Sequence, residues 1–183
     1  GEVMIQINIF NISLATALTF GFVDLKTGRK FDTMALELLT PRKNRLNPNG
    51  DCKNYFEYSN GKTKAVFDVT DDCHHLIFEG CLKGKRIEAE FFCSRLPKHE
   101  SITIATPFEK QGHFFYTNKI NCLNTYGSLK YGSETWDFSK DNTFTVLDWG
   151  RGIWPHSNMW YWANGSAFVH DKIFGFELTW GFG

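Results

Sequence analysis

The chain opens with Val3-Met-Ile-Gln-Ile-Asn-Ile-Phe-Asn-Ile-Ser-Leu14, in which apolar and polar side chains alternate with a period of two. Many of its residues are β-branched, and both features are typical of a strand that buries one face. Residues 15–24 continue the pattern, and the turn sequence Lys26-Thr-Gly-Arg29 leads into a further apolar segment at residues 31–39. The sequence therefore predicts that the chain starts with antiparallel strands.

Short apolar segments separated by turn residues continue through the first half of the chain. The strand-like segments are residues 55–58, 64–68, 75–79 and 87–93. Their regular spacing favours a meander that curls into a barrel or a sandwich. Residues 41–52 are rich in Pro, Asn, Lys, Arg and Gly and predict a loop. Residues 33–39 are the single helix candidate and lack a cap, so the predicted fold class is all-β.

Composition excludes several classes of partner. Twenty acidic and twenty basic residues balance without long runs of either sign, which argues against nucleic acid. No segment of about eighteen apolar residues is present, so we expect no membrane span. The oligomeric state is not predicted. We find no cofactor-binding motif and expect no cofactor.

The five cysteines predict a reduced, cytoplasmic protein, because their number is odd and no Cys-x-x-Cys pair occurs. The Cys73-His74-His75 tract resembles half of a metal site. No second cluster has ligand spacing, so we predict no metal and no structural zinc.

Aromatic residues are unusually frequent, at 16%, and all six tryptophans fall between Trp136 and Trp180. Large rings with a polar edge suit a ligand pocket or an interface, but they also fill the cores of β proteins. The sequence leaves both alternatives open for each ring.

The segment Asp148-Trp-Gly-Arg-Gly-Ile-Trp-Pro-His156 contains the candidate catalytic residues Asp148, Arg151 and His156. In one alternative, Asp148 and Arg151 form a salt bridge that fixes a crossover between strands. In the other, Asp148 is a general acid, because burial among indoles favours the neutral carboxyl group, whereas Arg151 opposes it. His156 is either a proton shuttle or an ordinary turn histidine.

The candidate ligand-binding residues are mostly aromatic. They are Trp149, Trp154, Trp160, Trp162, Tyr116, Lys119 and Asn121. The alternation of Trp160 and Trp162 predicts that both indoles share one face of a strand. Lys119 and Asn121 also share parity in a polar stretch between apolar strands. They either point inward, with Lys119 facing Asp148, or lie on a solvated face.

Five segments together resemble a bacterial family known as domain of unknown function 2804. They are His99-Glu-Ser-Ile-Thr-Ile-Ala-Thr-Pro-Phe108, Phe115-Tyr-Thr-Asn-Lys-Ile-Asn-Cys122, Val146-Leu-Asp-Trp-Gly-Arg-Gly-Ile-Trp-Pro-His156, Trp160-Tyr-Trp-Ala163 and Gly181-Phe-Gly183. The resemblance is clearest over residues 100–183 and collinear back to about Leu14. It implies two tandem lipocalin-like (calycin-like) barrels, an architecture similar to that of carotenoid hydratases, polyene cyclases and a sphingolipid carrier, and it implies that this chain is a fragment.

From the resemblance we expect residues 1–135 to form a first barrel-like region and residues 136–183 to begin a second. The expected function is binding of a large apolar, lipid-like or polyene-like ligand in a tryptophan-lined pocket. The alternative is a hydratase, isomerase or cyclase that uses Asp148 as general acid. A third possibility is a contact surface for another protein chain, which would leave the indoles exposed in one contiguous patch.

Overall fold

The computed structural model describes residues 2–12, 14–39, 46–48, 50, 53–96 and 99–181. These residues form strands and turns, and they include no helix that could cross a membrane. The strands are β1 Val3–Asn11, β2 Ala15–Asp24, β3 Lys30–Leu38, β4 Asn54–Ser59, β5 Lys64–Val69, β6 Cys73–Leu82, β7 Lys85–Ser94, β8 Ile102–Pro107, β9 Phe114–Tyr131, β10 Glu134–Phe138, β11 Phe144–Ile153, β12 Tyr161–Val169 and β13 Lys172–Trp180. The all-β prediction is confirmed.

The predicted strands of the first half also match the structure closely, and the helix candidate at residues 33–39 is largely strand β3. The predicted loop at residues 41–52 lies mostly outside the described residues. Its described members, residues 46–48 and 50, are not in strands.

All strand pairs in the three sheets are antiparallel. Strands β1, β2 and β3 form one sheet in that order. The second sheet has eight strands, in the order β10-β9-β7-β6-β5-β4, and β8 and β11 also pair with β9. Strands β12 and β13 form a separate hairpin, called the C-terminal hairpin below.

Strand β9 organises the second sheet because it is 18 residues long and pairs with four others. Its pairing with β11 shifts between Ile120 and Leu123, where β9 has two residues opposite the single Val146. Cys122 in this bulge has a φ of 60°, an uncommon conformation for a residue with a side chain. A bulge of this kind reverses the alternation of side chains, so Ile120 and Leu123 both face the core.

The main core lies between the three-stranded sheet and the eight-stranded sheet. Phe22 and Phe31 stack with ring centroids 4.6 Å apart, and Phe20 stacks on Phe78 of the opposite sheet at 4.7 Å. These four side chains are buried. Phenylalanines from the first half of the chain therefore supply most of the aromatic core.

The Cys73-His74-His75 tract begins β6, so its neighbouring side chains project to opposite faces. His74 is buried, and burial together with the charge of Arg95 lowers its pKa to about 4. His75 stacks on Phe92 at 4.2 Å and contacts Glu90. In the part of the chain that the structure describes, no group of three or more His, Cys, Asp or Glu residues is arranged to hold a metal.

Candidate functional site

Strands β8, β9 and β11 form a ribbon that carries most of the predicted site. Lys119 of β9 pairs with Asp148 of β11, and its neighbour Asn118 pairs with Trp149. Directly paired residues project to the same side of a sheet, whereas consecutive residues project to opposite sides. We call the side with Lys119 and Asp148 the outer side. The inner side, with Asn118 and Trp149, is continuous with the core through Ile120.

On the outer side, Lys119 and Asp148 form an ion pair. The side chain of Lys119 is 8% exposed and that of Asp148 is 43% exposed. The ammonium group also lies 4.4 Å from the ring centroid of Trp162, within the range of a cation–π contact. Lys119 is the one buried lysine or arginine among the described residues. Lys119 therefore faces Asp148, as one of the two alternatives predicted, but both residues lie on the outer side of the ribbon and not on the side of the main core.

The alternative salt bridge between Asp148 and Arg151 is wrong. The two residues are three positions apart on β11, so they project to opposite sides of the strand. Arg151 instead donates a hydrogen bond from Nη1 to the carbonyl of Pro48, at 3.3 Å. The guanidinium thus ties Pro48 to the inner side of the ribbon.

The C-terminal hairpin contacts the outer side at the β9 bulge. The backbone N–H of Cys122 donates to Ser166 Oγ at 3.0 Å, and Asn121 Nδ2 donates to the carbonyl of Phe176 at 3.0 Å. A Cβ at Gly175 would lie 2.7 Å from Cys122 Sγ, so only glycine permits this approach. The hairpin positions Trp162 over Lys119.

Three indoles of the predicted site are partly exposed and do not join the core. Trp154, Trp160 and Trp162 are 39%, 44% and 40% exposed. Trp154 follows β11 and packs on Phe115, with ring centroids 5.3 Å apart. Trp160 lies one residue before β12, so it does not share a strand with Trp162. His156 is exposed in the same connection between β11 and β12.

The inner side carries the other predicted aromatic residues. Trp149 makes a T-shaped contact with Tyr116, at 5.7 Å between ring centroids. Asn118 is 3% exposed and donates to Thr103 Oγ1 at 2.9 Å, while its own Oδ1 is buried without a hydrogen-bond partner. The predicted polar stretch around Tyr116, Asn118 and Lys119 is therefore the interior of β9 and not a segment between strands.

The predicted list omitted Glu177, which accepts a hydrogen bond from Trp162 Nε1 at 2.6 Å. Glu177 is the one acidic residue of strand β13, where it lies between Phe176 and Leu178. A carboxylate between two apolar residues was the available sequence signal. The predicted ligand-binding residues also omitted Asn118. Asn118 lies two positions after Tyr116, so both side chains project to the same side of a strand, and this spacing was the available sequence signal.

The chain belongs to the family described as Domain of unknown function (DUF2804), whose model matches residues 1–183. The predicted resemblance is thereby confirmed, over a longer range than residues 100–183. Comparison with curated proteins and with solved structures finds no match. The family description assigns no activity, so the function is argued from the site itself.

Proposed function

We propose that the protein binds a large apolar, lipid-like or polyene-like molecule against Trp154, Trp160 and Trp162, above the Lys119–Asp148 ion pair. The observation that supports this proposal is the exposure of the three indoles, about two fifths each. A tryptophan that serves as core filler is mostly buried, and here phenylalanines form the core instead. The exposed faces are therefore available for an apolar partner.

The polar groups under the indoles support a small molecule as that partner. Trp162 is held from two directions, by Lys119 at its face and by Glu177 at its N–H. Rigid aromatic rings with a few fixed polar groups are typical of ligand sites. In this proposal, Asn121 helps to hold the hairpin that carries Trp162, while Tyr116 and Trp149 support the ribbon from the inner side.

We also propose that the eight-stranded sheet belongs to a lipocalin-like barrel of a tandem pair, with regions at residues 1–135 and 136–183. The antiparallel meander of β4 to β7 supports a barrel. Strands β10 and β11 lie largely after the proposed boundary at residue 135, and both pair with β9. In this proposal the second region therefore begins within the same sheet as the first.

The binding proposal is tested by extracting the purified protein and identifying co-purifying small molecules by mass spectrometry. Tryptophan fluorescence then follows titration with a polyene. We expect Trp154→Ala and Trp160→Ala each to weaken binding by about tenfold, corresponding to the loss of about 1.4 kcal/mol. Tyr55→Ala is the control, because Tyr55 is exposed on β4 and outside the site. Equal affinities of all four proteins would refute the proposal.

An enzyme that uses Asp148 as general acid is the alternative from the same site. The ion pair with Lys119 uses the charged carboxylate, whereas a general acid needs the neutral form. The geometry therefore supports binding better than proton donation. A bound compound that is chemically altered by the natural protein and unaltered by Asp148→Asn protein would favour the enzyme.

A protein contact surface is a second candidate function, favoured by the outward face of the C-terminal hairpin. Tyr161, Leu178 and Trp180 are 63%, 62% and 78% exposed, and they line a shallow groove of about 220 Å³. Contiguous exposed apolar side chains mark such surfaces. Analytical ultracentrifugation separates the two functions, because a contact surface predicts association that Trp180→Ser abolishes without affecting the binding of a polyene.

A further inference from the structure

The three-stranded sheet ends in a cluster of exposed aliphatic side chains, called the apolar tip below. Its members, Ile12, Leu14, Leu38 and Leu39, are 66% to 80% exposed. The backbone holds them at the same end of the sheet, because the N–H of Leu39 donates to the carbonyl of Leu14 at 2.6 Å and Leu38 pairs with Ala15. Single exposed leucines are ordinary, but a group of four at one end of a sheet marks an interaction surface.

The sequence that follows the apolar tip is basic. Residues 38–50 contain Arg42, Lys43 and Arg45 and no acidic residue. Three residues of chain span at most about 11 Å, so Arg42 stays close to Leu39 in any conformation. The tip therefore combines apolar side chains with positive charge a short distance away.

The acidic residue nearest to the tip in the sequence, Glu37, points away from it. Glu37 projects to the core side of β3, as Ala35 does, whereas consecutive residues project to opposite sides. The opposite end of the sheet differs in charge. There the exposed Leu25 is followed by Lys26, which forms an ion pair with Glu2. That end carries both signs of charge, whereas the chain at the apolar tip continues into a basic segment.

We propose that the apolar tip inserts into the surface of an anionic lipid bilayer, while the basic segment that follows it attracts the lipid phosphates. Apolar side chains gain free energy by leaving water for the acyl boundary, and each basic residue near an anionic surface strengthens the binding. A second protein chain could also cover apolar side chains, but it would not need the basic segment. This contact does not involve the tryptophan site, so the inference is independent of the proposed binding function.

Co-sedimentation with vesicles tests the proposal, using phosphatidylcholine alone and an equal mixture with phosphatidylserine. We expect the natural protein to bind the mixed vesicles about tenfold more tightly. Leu14→Ser and Leu39→Ser should each weaken binding to the mixed vesicles by about tenfold, because each removes a side chain that leaves water. Leu25→Ser is the matched control, since Leu25 is 58% exposed at the opposite end of the same sheet, and it should leave binding unchanged. Thermal denaturation verifies that all three variants fold.

A double variant, Arg42→Gln with Lys43→Gln, isolates the contribution of charge. It should reduce the preference for mixed vesicles to about twofold and leave binding to phosphatidylcholine unchanged. Absence of binding to both kinds of vesicle, or an equal loss in Leu25→Ser and Leu39→Ser, would overturn the proposal. Self-association that Leu39→Ser abolishes, without any binding to vesicles, would also overturn it and would assign the apolar tip to a second copy of the chain.

Discussion

The aromatic side chains of the two halves of the molecule behave in opposite ways. In the first half, Phe20, Phe22 and Phe78 are at most 1% exposed and stack between the two large sheets. In the last third, Trp154, Trp160 and Trp180 are 39% to 78% exposed. The same apolar residue class therefore stabilises the fold in one region and forms an exposed apolar surface in the other.

The largest effect that tests this comparison is expected in the core. Phe78→Ala removes a fully buried ring that contacts Phe20, and we expect it to lower the free energy of unfolding by about 3–5 kcal/mol. Trp180→Ala removes an even larger but exposed ring and should cost less than about 1 kcal/mol. Urea denaturation measures both values. Similar losses in the two variants would show that the exposed region also forms a core.

A pH-dependent effect of about 3 kcal/mol is expected from His74, also in the core. Its pKa is lowered from 6.5 to about 4, first by burial and then by Arg95. Below pH 6.5 His74 is protonated in the unfolded chain, whereas in the folded protein it stays neutral until the pH falls to about 4. Stability therefore falls as the pH decreases through this window.

Urea unfolding at a series of pH values checks the His74 prediction. His74→Leu should flatten the decrease, whereas His156→Gln should retain it, because His156 is exposed. If His156→Gln changed the pH dependence of stability and His74→Leu did not, the buried histidine would be His156 and not His74.

An intermediate effect is expected from the Lys119–Asp148 ion pair, which lies beneath Trp162 of the C-terminal hairpin. Asp148→Asn leaves the buried ammonium without a counter-charge and should cost about 2 kcal/mol, less than for a fully buried pair because Asp148 is 43% exposed. Lys119→Met leaves a carboxylate that water can reach and should cost under about 1 kcal/mol. Thermal denaturation measures both losses of stability. A larger loss for Lys119→Met than for Asp148→Asn would mean that Asp148, and not Lys119, is the more buried charge.

A local effect, smaller than that of Asp148→Asn, is expected where the C-terminal hairpin contacts β9. Gly175→Ala introduces a Cβ 2.7 Å from Cys122 Sγ, so the hairpin has to shift, at a cost of about 1–2 kcal/mol. Cys122 should then react faster with a thiol reagent, as measured by peptide mass spectrometry. Gly21→Ala is the control, since its Cβ would have an ordinary contact at 3.9 Å. Unchanged reactivity in both variants would contradict the contact.

The strands of the first half could be predicted from sequence because each is a local pattern. Residues 15–24 alternate along their own length, and β2 has the same bounds in the structure. The site was predicted less completely. Asp148, Lys119 and Trp162 were candidates by residue type, but the sequence left both Arg151 and Lys119 open as the partner of Asp148, and only the structure shows that it is Lys119.

The sequence by itself determined the fold class, the strand positions of the first half and the family, because alternation, turn residues and a long motif are read within short segments. Only the tertiary structure decided which side of the ribbon each site residue occupies. The side on which each residue lies depends on the register between β9 and β11, on the bulge at Cys122 and on the position at which the C-terminal hairpin packs against β9. These are contacts between distant segments, and shifting a strand by one residue would move every side chain to the opposite face.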